Sequence, residues 1–245
     1  MDKEINKIID SIAPFCAPLY FLAHRGADAT QIKNNGTVSF INTGHRRLLV
    51  TAYHVWDAYL TKKEQNRELI LAMGSGNASP TILLEGVRLI DGDSDRLDIA
   101  VLTFENIDLV PEGQKKFFQI NSFPLVSPKN NDVVAFIGYP GQGRHPNQPE
   151  QGVFSAGILF VDLVTDVSDY NIYCVDIDNN RQSKMLKQDF ETINDFGGVS
   201  GAPAYVNRNG NAELVGFMTR FGTNNITAVM ARADYINNEG MIKRL

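Results

Sequence analysis

Short β-rich runs separated by turn residues recur along nearly the whole chain, and they constrain its fold more than any other feature. Each run is rich in apolar and β-branched residues and is bounded by Gly, Asn, Asp or Pro. This pattern is typical of an all-β sandwich or barrel. We predict strands over 19–23, 36–42, 47–52, 68–73, 82–89 and 99–104, and then over 132–138, 151–164, 171–177, 202–206, 212–219 and 226–230.

The strands fall into two series of similar size, which indicates two β units. We place the first unit at residues 19–110 and the second at residues 131–245. The connector between them, residues 111–130, is rich in Pro, Gly, Lys and Ser, and its apolar residues show only weak periodicity. The N-terminal segment, residues 1–18, carries isoleucines at helical spacing, so a short amphipathic helix is predicted there. We also predict a closing C-terminal helix from Ala233 onward.

Composition removes several classes of partner. The net charge of −5 and the lack of a long Lys/Arg cluster exclude a nucleic-acid-binding surface. No run approaches the ~20 apolar residues of a membrane-spanning helix. The N-terminus lacks a signal-peptide pattern, so we expect a cytoplasmic protein. The two cysteines, Cys16 and Cys174, have no nucleophile or metal motif around them and are interpreted as packed thiols.

Three segments carry residues suited to nucleophilic catalysis. The apolar run 47–52 leads through Tyr53 to His54. Asp98 stands directly before another apolar run, and Ser200 lies among glycines and is followed by a further apolar run. A serine hydroxyl needs an adjacent base to become a nucleophile, and an imidazole that titrates near neutral pH can serve as that base. The sequence order is therefore histidine, aspartate, serine.

These segments resemble the motifs of the trypsin-like (chymotrypsin-fold) serine peptidases, particularly the bacterial and intracellular type. Thr-Ala-Tyr-His at 51–54 is similar to the family's Thr-Ala-Ala-His, and Asp-Ile-Ala-Val-Leu at 98–102 to its Asp-Ile-Ala-Leu-Leu. Gly-Val-Ser-Gly-Ala-Pro at 198–203 is similar to Gly-Asp-Ser-Gly-Gly-Pro. Segment 214–219 resembles the strand that follows the family's serine. The similarity covers about residues 19–236.

The resemblance implies two six-stranded antiparallel β-barrels packed together and the activity of a serine endopeptidase. Ser200 is then the nucleophile, His54 the general base, and Asp98 the carboxylate that orients the base. A peptide or protein is the expected substrate, and no metal or organic cofactor is implied. A catalytically silent module of the same fold, which binds peptides or a protein partner, is the alternative.

Further roles follow from the same resemblance. The N–H groups of Gly198 and Ser200 are expected to form the oxyanion hole. Thr219 falls where the family places a hydroxyl that supports the buried aspartate. Val199 replaces an aspartate that in secreted members pairs with a newly cut N-terminus, so we expect no activation of that kind.

Three residues are expected to shape the specificity pocket. Asn194 lies about six residues before the nucleophile, where trypsin has an aspartate, and a one-residue shift in loop length would put Asp195 there instead. Arg220 and Phe221 lie on the strand after Thr219. Asn194 would give the pocket a neutral base, Arg220 would add a nearby positive charge, and Phe221 would narrow the entrance. We therefore predict poor cleavage after Lys or Arg and a preference for small, uncharged or acidic residues.

Overall fold

The computed structural model describes residues 3–25, 27, 32–74, 82–105, 107, 115–141, 144–146, 153–155, 157–176, 184–185, 195–222 and 227–244. Within these ranges the chain forms two β units, as the two series of strands predict. The all-β prediction is confirmed. No helix in the described part combines the length and apolarity needed to cross a bilayer.

The first unit is a half-barrel sheet. Its strands are β1 (Cys16–Leu22), β2 (Ile32–Asn42), β3 (Arg47–Ala52), β4 (Ile70–Met73), β5 (Ile82–Leu83), β6 (Arg88–Asp93), β7 (Ile99–Thr103) and β8 (Phe118–Gln119). The first seven follow the order β5-β4-β1-β2-β3-β7-β6, and the short β8 pairs in parallel with β2. The two end strands, β5 and β6, do not pair with each other in the described part, in contrast to the closed barrel that was expected.

The second unit contains the predicted closed six-stranded barrel. Its strands are β9 (Val133–Gly138), β10 (Arg144–Pro146), β11 (Val153–Ser155), β12 (Ile158–Val167), β13 (Asn171–Asp176), β14 (Lys184–Met185), β15 (Pro203–Arg208), β16 (Asn211–Phe221) and β17 (Thr227–Arg232). The barrel order is β13-β17-β16-β15-β9-β12, and an antiparallel pairing between β12 and β13 closes the ring. The short β14 pairs with β12, while β10 and β11 form a separate ribbon.

Two α-helices occur among the described residues. Helix α1 (Lys3–Ile12) confirms the N-terminal prediction and buries Ile9 and Ile12. Helix α2 (Tyr53–Gln65) was not predicted; it begins directly where β3 ends and buries Val55, Trp56 and Tyr59 on one face.

The predicted C-terminal helix is wrong. Only a short 3-10 helix, Ala233–Tyr235, forms there, followed by an isolated bridge between Ile236 and Ile242. The Asn237 side chain accepts the N–H groups of two residues that follow it, and Gly240 has a φ of +79°. Such a turn competes directly with a helix, because the side-chain carbonyl replaces the helical acceptors.

A continuous apolar cluster joins the two units. It includes Leu48 and Val50 from β3 of the first unit, and Ile137 and Phe217 from β9 and β16 of the second. Helix α1 adds Ile9 and Ile12 to the same cluster. Apolar burial contributes roughly 25 cal/mol per Å² removed from water, so this shared core holds the units in a fixed relation.

We predict a large cost for Gly201→Ala. Gly201 has a φ of +98°, and a Cβ there would lie 2.0 Å from the Thr37 carbonyl oxygen. Gly210→Ala is the matched control, because its φ is +83° but nothing lies within 4 Å. The backbone penalty alone is about 1–2 kcal/mol. In urea unfolding we expect Gly210→Ala to lose about that much and Gly201→Ala to lose more than ~4 kcal/mol or fail to fold. Equal losses would contradict the close approach.

Candidate active site

The pairing of β3 with β7 brings His54 and Asp98 together. The two strands run antiparallel with Ala52 opposite Ile99. The residues just after β3 and just before β7 therefore face each other across the same end of the ladder. The Tyr53 N–H donates to the Asp98 carbonyl at 2.9 Å, which continues the ladder by one step. The sequence-predicted histidine and aspartate are thus neighbours in the fold.

Both carboxylate oxygens of Asp98 are engaged by His54. Oδ2 lies 2.8 Å from the ring Nδ1, and Oδ1 accepts the backbone N–H of His54 at 2.9 Å. An ionised carboxylate only accepts hydrogen bonds, so we assign the ring proton to Nδ1 and leave Nε2 as the acceptor. The Asp98 side chain is 20% exposed and that of His54 is 52% exposed. Asp98 has a φ of +54°, in a region that aspartate tolerates better than most residues.

Ser200 lines the same cleft as His54. This cleft, of about 230 Å³, lies between the two units and includes Met218 and Thr219 from β16. The Ser200 hydroxyl donates to the backbone carbonyl of Thr219 at 2.8 Å. Among the described contacts it makes no hydrogen bond to His54. The Ser200 hydroxyl must therefore rotate away from the Thr219 carbonyl before His54 Nε2 can accept its proton.

A tight turn before Ser200 sets the direction of the Gly198 amide. The Val199 N–H donates to the Phe196 carbonyl at 3.2 Å and Gly198 has a φ of +104°, as in a type II turn. The Gly197 carbonyl accepts the Gly141 N–H at 2.7 Å. Because the C=O and N–H of one planar trans peptide point in opposite directions, the Gly198 N–H faces away from Gly141.

The N–H groups of Gly198 and Ser200 donate to no other group in the described part of the chain. By contrast, the next amide, that of Gly201, donates to the Met218 carbonyl at 2.7 Å. Two unoccupied amides beside a serine hydroxyl are the arrangement that can stabilise an oxyanion.

Thr219 does not support Asp98 in the expected way, and that assignment is corrected. Its hydroxyl donates to the Val229 carbonyl on β17 at 2.9 Å. A hydroxyl carries one proton, so this bond leaves none for the Asp98 carboxylate. The contribution of Thr219 to the site is instead its backbone carbonyl, which accepts the Ser200 hydroxyl.

The expected specificity residues are only partly described. Asn194 lies outside the described residues. Arg220 is exposed and lines the cleft with Phe221. The Phe221 ring lies 5.0 Å from that of Phe196 and 5.7 Å from that of Phe160, between ring centroids. The aromatic cluster was not predicted, because Phe160 comes from β12, far away in sequence.

Asp195 also lines the cleft. Its Oδ1 accepts the Gly197 N–H at 2.8 Å, so the carboxylate caps the turn that leads to Ser200. The two cysteines, in contrast, are both buried and free of disulfides, as predicted for packed thiols. Burial raises the pKa of the Cys16 thiol to about 11, so it is protonated at neutral pH and cannot be the nucleophile.

We predict that Thr219→Val keeps the His54–Asp98 hydrogen bond but lowers stability. The substitution removes the hydroxyl that satisfies the Val229 carbonyl, at a cost of about 1 kcal/mol in chemical unfolding. The downfield proton NMR signal of the His54 Nδ1–H should persist in Thr219→Val and disappear in the control Asp98→Ala. Loss of this signal in Thr219→Val would restore the expected role of the hydroxyl.

No protein-family model and no curated protein sequence matches the chain. Solved structures match it over most of its length. The serine protease domain of the Sesbania mosaic virus polyprotein has a TM-score of 0.51 at 15% identity, covering 95% of this chain and 94% of that one. A Glu endopeptidase has 0.52 at 14% identity, covering 91% and 86%. Deg5 has 0.51 at 14% identity, covering 93% and 90%. Structural neighbours of the chain are trypsin-like serine proteases, and the likeness is one of fold: the chain has the chymotrypsin-like arrangement of two β units, here one closed barrel and one half-barrel sheet.

Proposed function

We propose that the chain is a serine endopeptidase that hydrolyses peptide bonds through an acyl-enzyme. The observation that carries this proposal is the geometry around one cleft: His54, which is paired with Asp98, and Ser200 both line it, and the loop that carries Ser200 has two amides, those of Gly198 and Ser200, without an acceptor in the described part of the chain. The serine proteases among the fold neighbours support the same reaction class.

The reaction begins when the Ser200 Oγ attacks the scissile carbonyl carbon. His54 Nε2 takes the hydroxyl proton, and the carbonyl oxygen becomes an oxyanion that accepts the N–H groups of Gly198 and Ser200. His54 then gives the proton to the leaving amine, and the acyl group stays on Ser200. Water attacks the ester with His54 again as base, which releases the second product. One such oxyanion donor contributes about 10²–10³ in kcat.

Asp98 fixes both the tautomer and the direction of the imidazole. Because its Oδ1 is held by the backbone of His54 and its Oδ2 by the ring, the carboxylate and the imidazole cannot rotate independently. The negative charge stabilises the imidazolium that forms after the first proton transfer. Asp98→Asn would favour the wrong tautomer, which costs on the order of 10⁴ in turnover.

The catalytically silent module remains the second candidate, because the Ser200 hydroxyl donates to Thr219 rather than to His54. In an active enzyme the Ser200 hydroxyl would exchange its hydrogen bond to the Thr219 carbonyl for one to His54 Nε2. A neutral hydrogen bond contributes about 1 kcal/mol net. The exchange is therefore a minor part of the barrier. In a silent module the bond would persist, and the cleft would bind a peptide or a protein partner without cleaving it.

We predict covalent labelling of Ser200 by a fluorophosphonate probe. Wild-type protein should react, Ser200→Ala should not, and His54→Ala should react at least ~10³-fold more slowly, since the base activates the nucleophile. Circular dichroism and unfolding midpoints provide the control for folding. Folded wild-type protein that stays unlabelled would favour the silent module. Equal labelling of Ser200→Ala would refute the assignment of the nucleophile.

The cleft favours a small side chain on the acyl side of the scissile bond. Phe221 and Phe196 occupy space beside Ser200, and the cavity of about 230 Å³ leaves little depth. Arg220 is exposed at the cleft and forms no ion pair in the described part of the chain, so its charge is available to repel Lys or Arg and to attract an acidic group. The Asp195 carboxylate lines the same cleft but is engaged by the Gly197 N–H. We infer a preference for small, uncharged or acidic residues.

We predict that two substitutions change this preference in different ways. Phe221→Gly should admit larger apolar residues, because it removes the ring at the cleft. Arg220→Ala should reduce cleavage after Glu or Asp about tenfold while leaving cleavage after Ala unchanged, consistent with the loss of one charge contact. Cleavage-site profiling with a diverse peptide library measures both. Dominant wild-type cleavage after Lys or Arg would contradict the account and would indicate that Asp195 sets the pocket.

A further inference from the structure

Strand β2 of the first unit binds three carbonyl groups of the loop that carries Ser200. The Thr37 hydroxyl donates to the Gly198 carbonyl at 2.8 Å, and the Thr37 N–H donates to the Ser200 carbonyl at 2.8 Å. The Ser39 hydroxyl donates to the Gly201 carbonyl at 2.6 Å. The Thr37 and Ser39 side chains lie on the same face of β2, two residues apart, and together with the Thr37 N–H they bind three carbonyl groups of this loop.

The hydrogen bonds around Thr37 fix the direction of its hydroxyl proton. Its side chain is buried, and its Oγ1 accepts the Tyr139 N–H at 3.1 Å. An oxygen that accepts from Tyr139 keeps its own proton for the Gly198 carbonyl. The Thr37 carbonyl is held in turn by the Thr51 hydroxyl at 2.8 Å. The Thr37 hydroxyl is therefore fixed by the bond that it accepts from Tyr139 and the bond that it donates to Gly198, and the Thr37 backbone is fixed by Thr51.

The bond to Thr37 completes the restraint on the Gly198 amide. The peptide before the Gly198 Cα is held through the Gly197 carbonyl by Gly141, and the peptide after it is held through the Gly198 carbonyl by Thr37. Glycine by itself populates many φ and ψ values, so an unrestrained Gly198 could rotate its N–H to another direction. With both flanking peptides tied, that rotation requires breaking a hydrogen bond.

The side chains of β2 that hold this loop carry no charge. Val199 stands at the position where a carboxylate would be needed to pair with a liberated N-terminus, and it is buried. It packs closely against Gly138: a Cβ on Gly138 would lie 2.3 Å from the Cγ1 of Val199. The loop is therefore held by the apolar contact of Val199 with Gly138, by neutral hydroxyl groups on β2, and by the Asp195 carboxylate that caps the turn before Gly198.

We propose that Thr37 is a positioning residue whose hydroxyl keeps the Gly198 N–H aimed at the developing oxyanion. Thr37 does not itself contact the substrate; it acts through the Gly198 peptide. This inference rests on the proposed peptidase function and adds to it the group that aligns the oxyanion hole without a liberated N-terminus.

The test compares Thr37→Val, which keeps the shape but loses the hydroxyl, with Thr37→Ser, which keeps the hydroxyl. Thr43→Val is the matched control, because the buried Thr43 hydroxyl also donates to a distant carbonyl, that of Asn238, at 2.7 Å. We expect Thr37→Val to lower the fluorophosphonate labelling rate and kcat about 10- to 100-fold, somewhat less than loss of a whole oxyanion donor. KM for a library-derived peptide should change less than ~3-fold, since ground-state binding does not use the oxyanion hole.

Thr37→Ser should keep most of the labelling rate, and Thr43→Val should lose stability but not reactivity. An unchanged rate in folded Thr37→Val, or an equal loss in Thr37→Ser, overturns the role of the hydroxyl. If Thr37→Val does not fold, Thr37→Cys replaces it: its weak S–H donor should give an intermediate rate, and a wild-type rate overturns the inference. Folded wild-type protein without labelling refutes the proposed function, whereas a labelled wild type with an equally labelled Thr37→Val refutes this inference alone.

Discussion

Hydrogen bonds between strand β2 and the loop around Ser200 align the two halves of the candidate site. His54 and Asp98 belong to the first β unit, while Ser200 and the amides beside it belong to the second. The shared apolar core holds the two units together, but apolar contacts are non-directional and do not by themselves set a register to a fraction of an ångström. The bonds from Thr37 and Ser39 supply that direction.

Neutral hydroxyl groups are well suited to this task. A buried ion pair loses the hydration of two charges and stabilises only if its geometry is excellent, whereas a buried hydroxyl that donates one bond and accepts another is satisfied at a smaller desolvation cost. Thr37, Ser39 and Thr51 are all fully buried, and each donates to a backbone carbonyl. None of these three groups titrates, so the restraint that they supply should not change with pH. Within this alignment, the proton transfers depend on His54.

The sequence predicted what depends on local pattern and failed where a distant group competes. The strand over 47–52 was predicted with its observed bounds, because its apolar and β-branched residues run directly into the Thr-Ala-Tyr-His motif at 51–54. Helix α2 was missed because its apolar residues are few and show only a weak helical periodicity in the sequence. The C-terminal helix failed because the Asn237 side chain makes a turn. The hydroxyl of Thr219 was assigned to Asp98, but the Val229 carbonyl on a neighbouring strand accepts its proton, and no local pattern reveals that pairing.

A pre-steady-state experiment with a p-nitrophenyl ester tests the acyl-enzyme most directly. An acyl-enzyme on Ser200 predicts a burst of about one nitrophenolate per chain, followed by slow turnover, because acylation of a well-aligned serine outpaces hydrolysis of the ester. Intact-protein mass spectrometry during the burst should show one added acyl group, and peptide mapping should place it on Ser200. Linear release without a burst and without an adduct, or an adduct on a different residue, would contradict the account.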